Sequence, residues 1–226
     1  MQLSDIRSKI PEKLSTILSK DIQGLRPAQE KAINAGLLDG KSLLVCTPTA
    51  SGKTLIAELA AAKNILEGKG KAIYIVPLKA LASEKYKEFS AKYKGMFSIA
   101  LSIGDLDSAE PGLAEKDFLF VTSEKLDSLI RHHAPWLRQV KTVIVDEIHL
   151  LNDPERGPTL EILITLLNQL LPKMQLLGLS ATIGNPEELA SWLGAELVLD
   201  DWRPVKLEEG VYLAGDLTFH TSILTT

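Results

Sequence analysis

Apolar residues recur along most of the chain with two periods. Leu3, Ile6, Ile10, Leu14, Ile17 and Leu18 fall near helical spacing, which predicts one amphipathic helix over 3–20. Arg26-Pro27-Ala28-Gln29 opens a second helix, with Pro27 in its first turn. Short apolar runs then alternate with helical patterns. The runs predict strands at 43–46, 72–76, 97–103, 118–121, 142–145, 175–179 and 196–199. The stretches between them predict helices at 55–66, 81–93, 124–131, 159–171 and 186–193, the first ended by Gly68 and Gly70. Several strand runs are uninterrupted by polar residues, as parallel strands covered on both faces should be. The pattern therefore predicts an α/β domain: a mostly parallel, doubly wound sheet flanked by helices, with its ligands at the carboxyl ends of the strands. Beyond Asp200 the pattern changes. Stretches 203–207 and 211–213 read as a hairpin or exit strand, and the last nine residues, which are polar-rich, are expected to be poorly ordered.

Composition fits this layered picture. Of the 226 residues 45% are hydrophobic and 5% aromatic, so the core is aliphatic, enough for one large domain or one domain with a tail. The single cysteine, Cys46, cannot form an internal disulfide and is expected in the core at a strand end. The start, MQLSDIRSKI, lacks the apolar segment of a signal peptide, and the apolar helix near 160–171 is too short to span a bilayer. An intracellular, cytoplasmic, soluble and monomeric protein is expected. A net charge of −4 means that any nucleic-acid contact must be local.

The chemistry-bearing residues lie just after strands. Thr47-Pro48-Thr49-Ala50-Ser51-Gly52-Lys53-Thr54 follows the first strand and opens a helix. This is the phosphate-loop pattern G-x-x-x-x-G-K-[ST] with Thr47 in place of the first Gly. Gly52 lets the backbone approach phosphates, Lys53 reaches the β/γ-phosphates and the Thr54 hydroxyl can hold Mg²⁺. The strand at 142–145 runs into Asp146-Glu147. Asp146 would hold Mg²⁺, and Glu147 would orient and deprotonate an attacking water. Two adjacent carboxylates imply a cation between them and the phosphates.

Further residues carry a family resemblance. Asp146-Glu147-Ile148-His149 resembles the D-E-x-H box of superfamily-two helicases, Ser180-Ala181-Thr182 resembles that superfamily's third motif, and Gln29 resembles its adenine-reading glutamine. The stretches 77–85 and 146–161 resemble the Ski-like branch. Stretches 179–189 and 201–207 resemble archaeal Hjm-type DNA repair helicases. The resemblance covers nearly the whole chain. It implies a first RecA-like motor domain over 1–200, with 201–226 a crossover hairpin or linker towards a second motor domain. It also implies ATP and Mg²⁺ as cofactors, and 3′-to-5′ movement on single-stranded or forked DNA in replication-coupled repair. A Ski-like RNA helicase is the rival reading; a small-molecule kinase or a binding module without turnover fits the motifs less well. The family's arginine from a Gly-Arg-rich motif belongs to the second domain, and no Gly-Arg dipeptide occurs here. The chain alone is thus expected to bind ATP·Mg²⁺, hydrolyse it slowly and not unwind duplexes.

Lys79, Thr122 and Ser123, near helix starts, and Asp105 in a turn are candidates for strand phosphate contacts. Helix capping is the structural alternative for Thr122 and Ser123. The other lysines of 85–94 alternate with Glu84 and Glu88 and read as a solvated face. His149 is expected to bridge Glu147 to the segment of Ser180 and Thr182, coupling nucleotide state to motion. His132 and His133 receive no function, and Trp136, Trp192 and Trp202 read as packing residues.

Overall fold

Seven strands pair in one direction, in the order β3-β4-β2-β5-β6-β1-β7. They are β1 (Leu43–Cys46), β2 (Lys71–Ile75), β3 (Ile99–Ser102), β4 (Phe118–Val121), β5 (Val140–Val145), β6 (Gln175–Ser180) and β7 (Glu196–Leu199). The computed structural model describes residues 1–104 and 110–205, and the backbone of 209–213 and 216–220. Asp105 lies outside the described residues.

Alternation along each strand divides the core in two. Leu43, Val45, Tyr74, Phe118, Phe120, Ile144 and Leu177 face one side. There they meet α1 (Glu12–Leu18), α2 (Pro27–Asn34), α3 (Lys53–Leu66) and α4 (Lys79–Lys92). Leu44, Cys46, Ile73, Ile75, Val121, Val143 and Val145 face the other side. They meet α5 (Ser123–Arg131), α6 (Gly157–Leu170) and α7 (Pro186–Leu193). Both faces are covered, which explains the unbroken apolar runs. Ala57, Ala60 and Ala61, all buried, let α3 lie close to the sheet. Between α3 and the sheet, a buried amide network joins Asn64 Nδ2 to Thr142 Oγ1 (2.7 Å) and Gln175 Oε1 (3.2 Å). Gln175 Nε2 donates to Leu37 O (2.8 Å) and Lys41 O (2.9 Å).

Several sequence expectations need correction. Residues 3–20 are not one helix: a 3₁₀ segment, Leu3–Lys9, ends at Ile10, which is extended, and α1 starts only after Pro11. A residue before proline is pushed out of helical geometry, and the apolar spacing runs across that break. The third strand starts at Ile99. Residue 98 is held outside the ladder by Asp117, whose carboxylate accepts from Ser98 N and Oγ, both at 2.7 Å. The terminal hairpin pairs β8 (Glu209–Leu213) with β9 (Asp216–His220), later than expected. Pro204 offers no N–H to a ladder, and 201–205 is exposed. Of the last nine residues, 218–220 belong to β9, and 221–226 lie outside the described residues. Cys46 is buried at the end of β1, as expected. Trp136 packs in the core, whereas Trp192 and Trp202 are 42% and 36% exposed and do not.

Candidate functional site

The phosphate-loop sequence extends β1. Thr47 N donates to Ser180 O at 3.2 Å, continuing the β1–β6 ladder before the chain turns. The turn needs two left-handed residues, Ala50 (φ 65°) and Gly52 (φ 94°), and α3 begins at Lys53. A Cβ at Gly52 would run into the Gln29 carboxamide and come within 3.2 Å of Arg26 Cδ, so glycine is required on both counts. Thr47, which departs from the pattern, is fully buried. Its hydroxyl pairs with Ser51 Oγ at 2.6 Å and braces the loop from within.

The start of α2 holds the loop from outside. Gln29 is buried; its Oε1 accepts from Arg26 N (2.8 Å) and its Nε2 donates to Gly52 O (3.0 Å). Arg26 donates to Ala50 O at 2.5 Å, and its guanidinium lies 5.6 Å from the Trp202 ring centroid. A cavity of about 360 Å³ beside them is lined by Ile22, Arg26, Gln29, Gly52, Thr54 and Glu58, among others. Its size and mixed lining suit part of a small polar ligand.

Lys53 bends back over the loop and donates to Thr47 O (2.9 Å) and Ser180 O (3.0 Å). Burial lowers its pKa, and the nearby Glu147 and Asp146 carboxylates counteract that shift. Asp146 ends β5, with its N–H on Ile75 O (2.9 Å). Its Oδ2 accepts from Tyr74 OH (3.1 Å), and its Oδ1 from Glu147 N (3.1 Å). Burial and then the Asp146 charge push the Tyr74 phenol well above its usual pKa, so it remains a donor. Glu147 holds φ 49°, a left-handed conformation costly for a side-chain-bearing residue and most often kept at functional sites. The 3₁₀ turn Ile148–Asn152 that follows is seated by Gly178 on β6. A Cβ at Gly178 would meet Ile148 Cδ1 at 3.1 Å.

Lys85 was expected on a solvated face and is not there. Its side chain is 17% exposed; Nζ lies 3.2 Å from Thr54 Oγ1, 3.7 Å from Asp146 Oδ2 and 5.3 Å from the Tyr74 ring centroid. Lys92 also turns inward, to Glu58 at 2.6 Å, and Glu58 accepts from Tyr93 OH as well. Lys87 and Lys94 do face solvent. The missed signal was spacing: Lys85 sits three residues after Ala82 and four before Phe89, both buried on one face of α4.

The arrangement also tests the expected metal. Thr54 Oγ1 and Asp146 Oδ2 already share one cation, the Lys85 ammonium. Among the described residues no group of three or more His, Cys, Asp or Glu could hold a metal alone. One carboxylate and one hydroxyl, completed by ligand phosphates, match the way Mg²⁺ is usually held. The donor set fits.

His149 lies beside Glu147. Nδ1 is 3.4 Å from Glu147 Oε2, but without hydrogen-bond geometry. Ser180 Oγ is buried with no partner among the described residues. It is the Ser180 carbonyl that touches the loop, and Thr182 is exposed. The strand-contact candidates gather on the other half of the sheet. Exposed Lys79 starts α4 after β2, and Thr122 and Ser123 start α5 after the neighbouring β4. Thr122 is buried and caps α5, accepting from Lys125 N at 3.4 Å.

A parallel sheet with a lysine-bearing loop after β1 and a carboxylate pair after β5 defines a RecA-like, phosphate-loop nucleotide-binding domain. The DEAD/DEAH box helicase family model matches residues 26–189. The chain is 52% identical over 207 residues to the ATP-dependent DNA helicase Hel308 of Pyrococcus abyssi, covering 91% of this chain and 28% of that protein. It is 56% identical over 195 residues to that of Methanocaldococcus jannaschii, covering 83% and 16%. The solved structure of Mycobacterium smegmatis helicase Lhr bound to ssDNA and AMP-PNP aligns with a TM-score of 0.73 at 30% identity, covering 84% of this chain and 27% of that one. The chain belongs to the DEAD/DEAH box helicase family. It spans less than a third of the length of these relatives.

Proposed function

We propose that the chain is the first motor domain of an ATP-dependent 3′-to-5′ DNA helicase of the Ski-like branch, acting on single-stranded or forked DNA in replication-coupled repair. The observation that carries this is convergence: Lys53, Thr54, Asp146 and Glu147 meet at the carboxyl ends of the neighbouring strands β1, β6 and β5. The DNA preference draws on relatives named as DNA helicases.

In this reading the N–H groups of Thr49, Ala50 and Gly52 and the α3 N-terminus take the phosphates. Lys53 leaves its two carbonyls for the β/γ-phosphates, and the Gln29 carboxamide faces the base. Mg²⁺ held by Thr54 and Asp146 would offset phosphate charge. Glu147 aligns the attacking water and takes its proton, and the adjacent His149 and Ser180–Thr182 segment transmit the state of the site. Lys79, Thr122 and Ser123 hold strand phosphates. Residues 201–226 lead to a second motor domain, which supplies the completing arginine.

The test is equilibrium binding by the 226-residue chain. Fluorescent ATP should bind with Mg²⁺ and be lost in Lys53→Ala, and labelled single-stranded DNA should be held in a salt-dependent way. ATP binding indifferent to Lys53 would reject the nucleotide site. Binding of matched RNA but not DNA would move the protein to RNA processing.

A further inference from the structure

Lys85 is the charged group the nucleotide site does not need and the fold nevertheless delivers to it. α4 begins with exposed Lys79 and, six residues on, brings Lys85 to the Thr54 and Asp146 side chains. There Nζ touches Thr54 Oγ1 (3.2 Å), faces Asp146 Oδ2 (3.7 Å) and rests over the Tyr74 ring (5.3 Å). Asp146 is 12% exposed and Lys85 17%, so solvent screens the pair only partly. Without Lys85, Asp146 would face the Glu147 carboxylate with Tyr74 OH, one backbone N–H and the nearby Lys53 ammonium to balance it.

We propose that Lys85 is a tethered counter-cation of the metal site. In metal-free protein its ammonium occupies the place between Thr54 and Asp146, and loading of Mg²⁺ with nucleotide requires it to withdraw. The inference rests on the nucleotide-site reading above and adds a competition to it. A metal ion and a lysine ammonium cannot share the same two oxygens at contact distance, and two cations there repel. Lys85 therefore weakens Mg²⁺-dependent loading, while its charge beside the loop does not oppose metal-free nucleotide binding. It also ties loading to α4, since Lys85 and Lys79 are six residues, about 9 Å, apart on one helix.

The experiment titrates Mg²⁺ against fluorescent ATP binding for the wild type, Lys85→Gln and Lys85→Arg. The Gln variant should lower the half-saturating Mg²⁺ concentration about five- to tenfold, the scale of one partly buried charge pair at ~1.4 kcal/mol per factor of ten. Binding in EDTA should not strengthen in the Gln variant, which loses a cation beside the phosphate site, and the Arg variant, which keeps the charge, should stay near wild type. An unchanged or raised Mg²⁺ requirement in a folded Gln variant overturns the proposal alone. Absence of Lys53-dependent binding in the wild type overturns the nucleotide-site reading and this proposal with it. A second measurement needs no variant: acetylation of Lys85 in the wild type, read by mass spectrometry, should rise on adding Mg²⁺ with AMP-PNP. Equal or reduced labelling overturns the proposal.

Discussion

Replacing Gly52 with alanine perturbs the loop at its most constrained point. The residue sits at φ 94°, and forcing a side-chain-bearing residue into left-handed geometry costs about 1–2 kcal/mol. The new Cβ would also displace the Gln29 carboxamide and break its 3.0 Å bond to Gly52 O, a loss of about 0.5–1.5 kcal/mol. Together these come to about 1.5–3.5 kcal/mol. At about 2–4 °C per kcal/mol for a chain of this size, the melting temperature should fall by about 3–14 °C. Circular-dichroism melts read this directly, and fluorescent ATP titration should show weakened binding in the same variant. Gly184→Ala is the control: its Cβ meets nothing within 4 Å and its backbone is not left-handed. That variant should melt within about 2 °C of wild type. A Gly52→Ala protein that melts and binds ATP like wild type would refute the reasoning about the loop.

Other expectations follow from the same geometry. Arg26→Ala removes the bond to Ala50 O and the Trp202 contact, and should weaken fluorescent ATP binding by about tenfold, at ~1.4 kcal/mol. Gln175→Leu leaves Leu37 O, Lys41 O and Asn64 Nδ2 short of partners and should cost about 3 kcal/mol in denaturant unfolding. Above pH 9 stability should fall. Burial raises Cys46 from 9.0 to about 11, so the unfolded chain loses that proton first. Buried Tyr74 and Tyr93, both raised, extend the loss at higher pH, while Lys53, lowered, opposes it. Melts of Cys46→Ala between pH 9 and 11 should show a shallower decline than wild type; an identical slope would exclude Cys46 as the source.

What the sequence revealed depended on whether a feature was repeated or singular. Strands buried on both faces announced themselves, and 43–46 and 118–121 match the observed strands end to end, as does the partly exposed edge strand 196–199. The P-loop and carboxylate pair were legible because each followed such a strand. Periodicity alone misled at the amino terminus, where apolar spacing continued across Pro11 while the helix could not. The alternating Lys and Glu of α4 resembled a solvated face, yet Lys85 and Lys92 turn inward to Asp146 and Glu58. Charge alternation says nothing about which member of a pair finds a buried partner. Arg26 escaped notice because its work is done through a backbone carbonyl and a distant tryptophan. The link between Ser180 and the loop runs through its carbonyl, which no side-chain motif can display.

The central claim is that strand binding drives nucleotide turnover at this site. It is tested most directly by ATP hydrolysis by the chain together with the proposed second motor domain, with single-stranded DNA, matched RNA or neither, and Lys53→Ala as blank. The account predicts turnover stimulated by DNA and abolished in the variant. Lys53-dependent turnover indifferent to either nucleic acid would contradict it, leaving a nucleotide-binding domain without a helicase role.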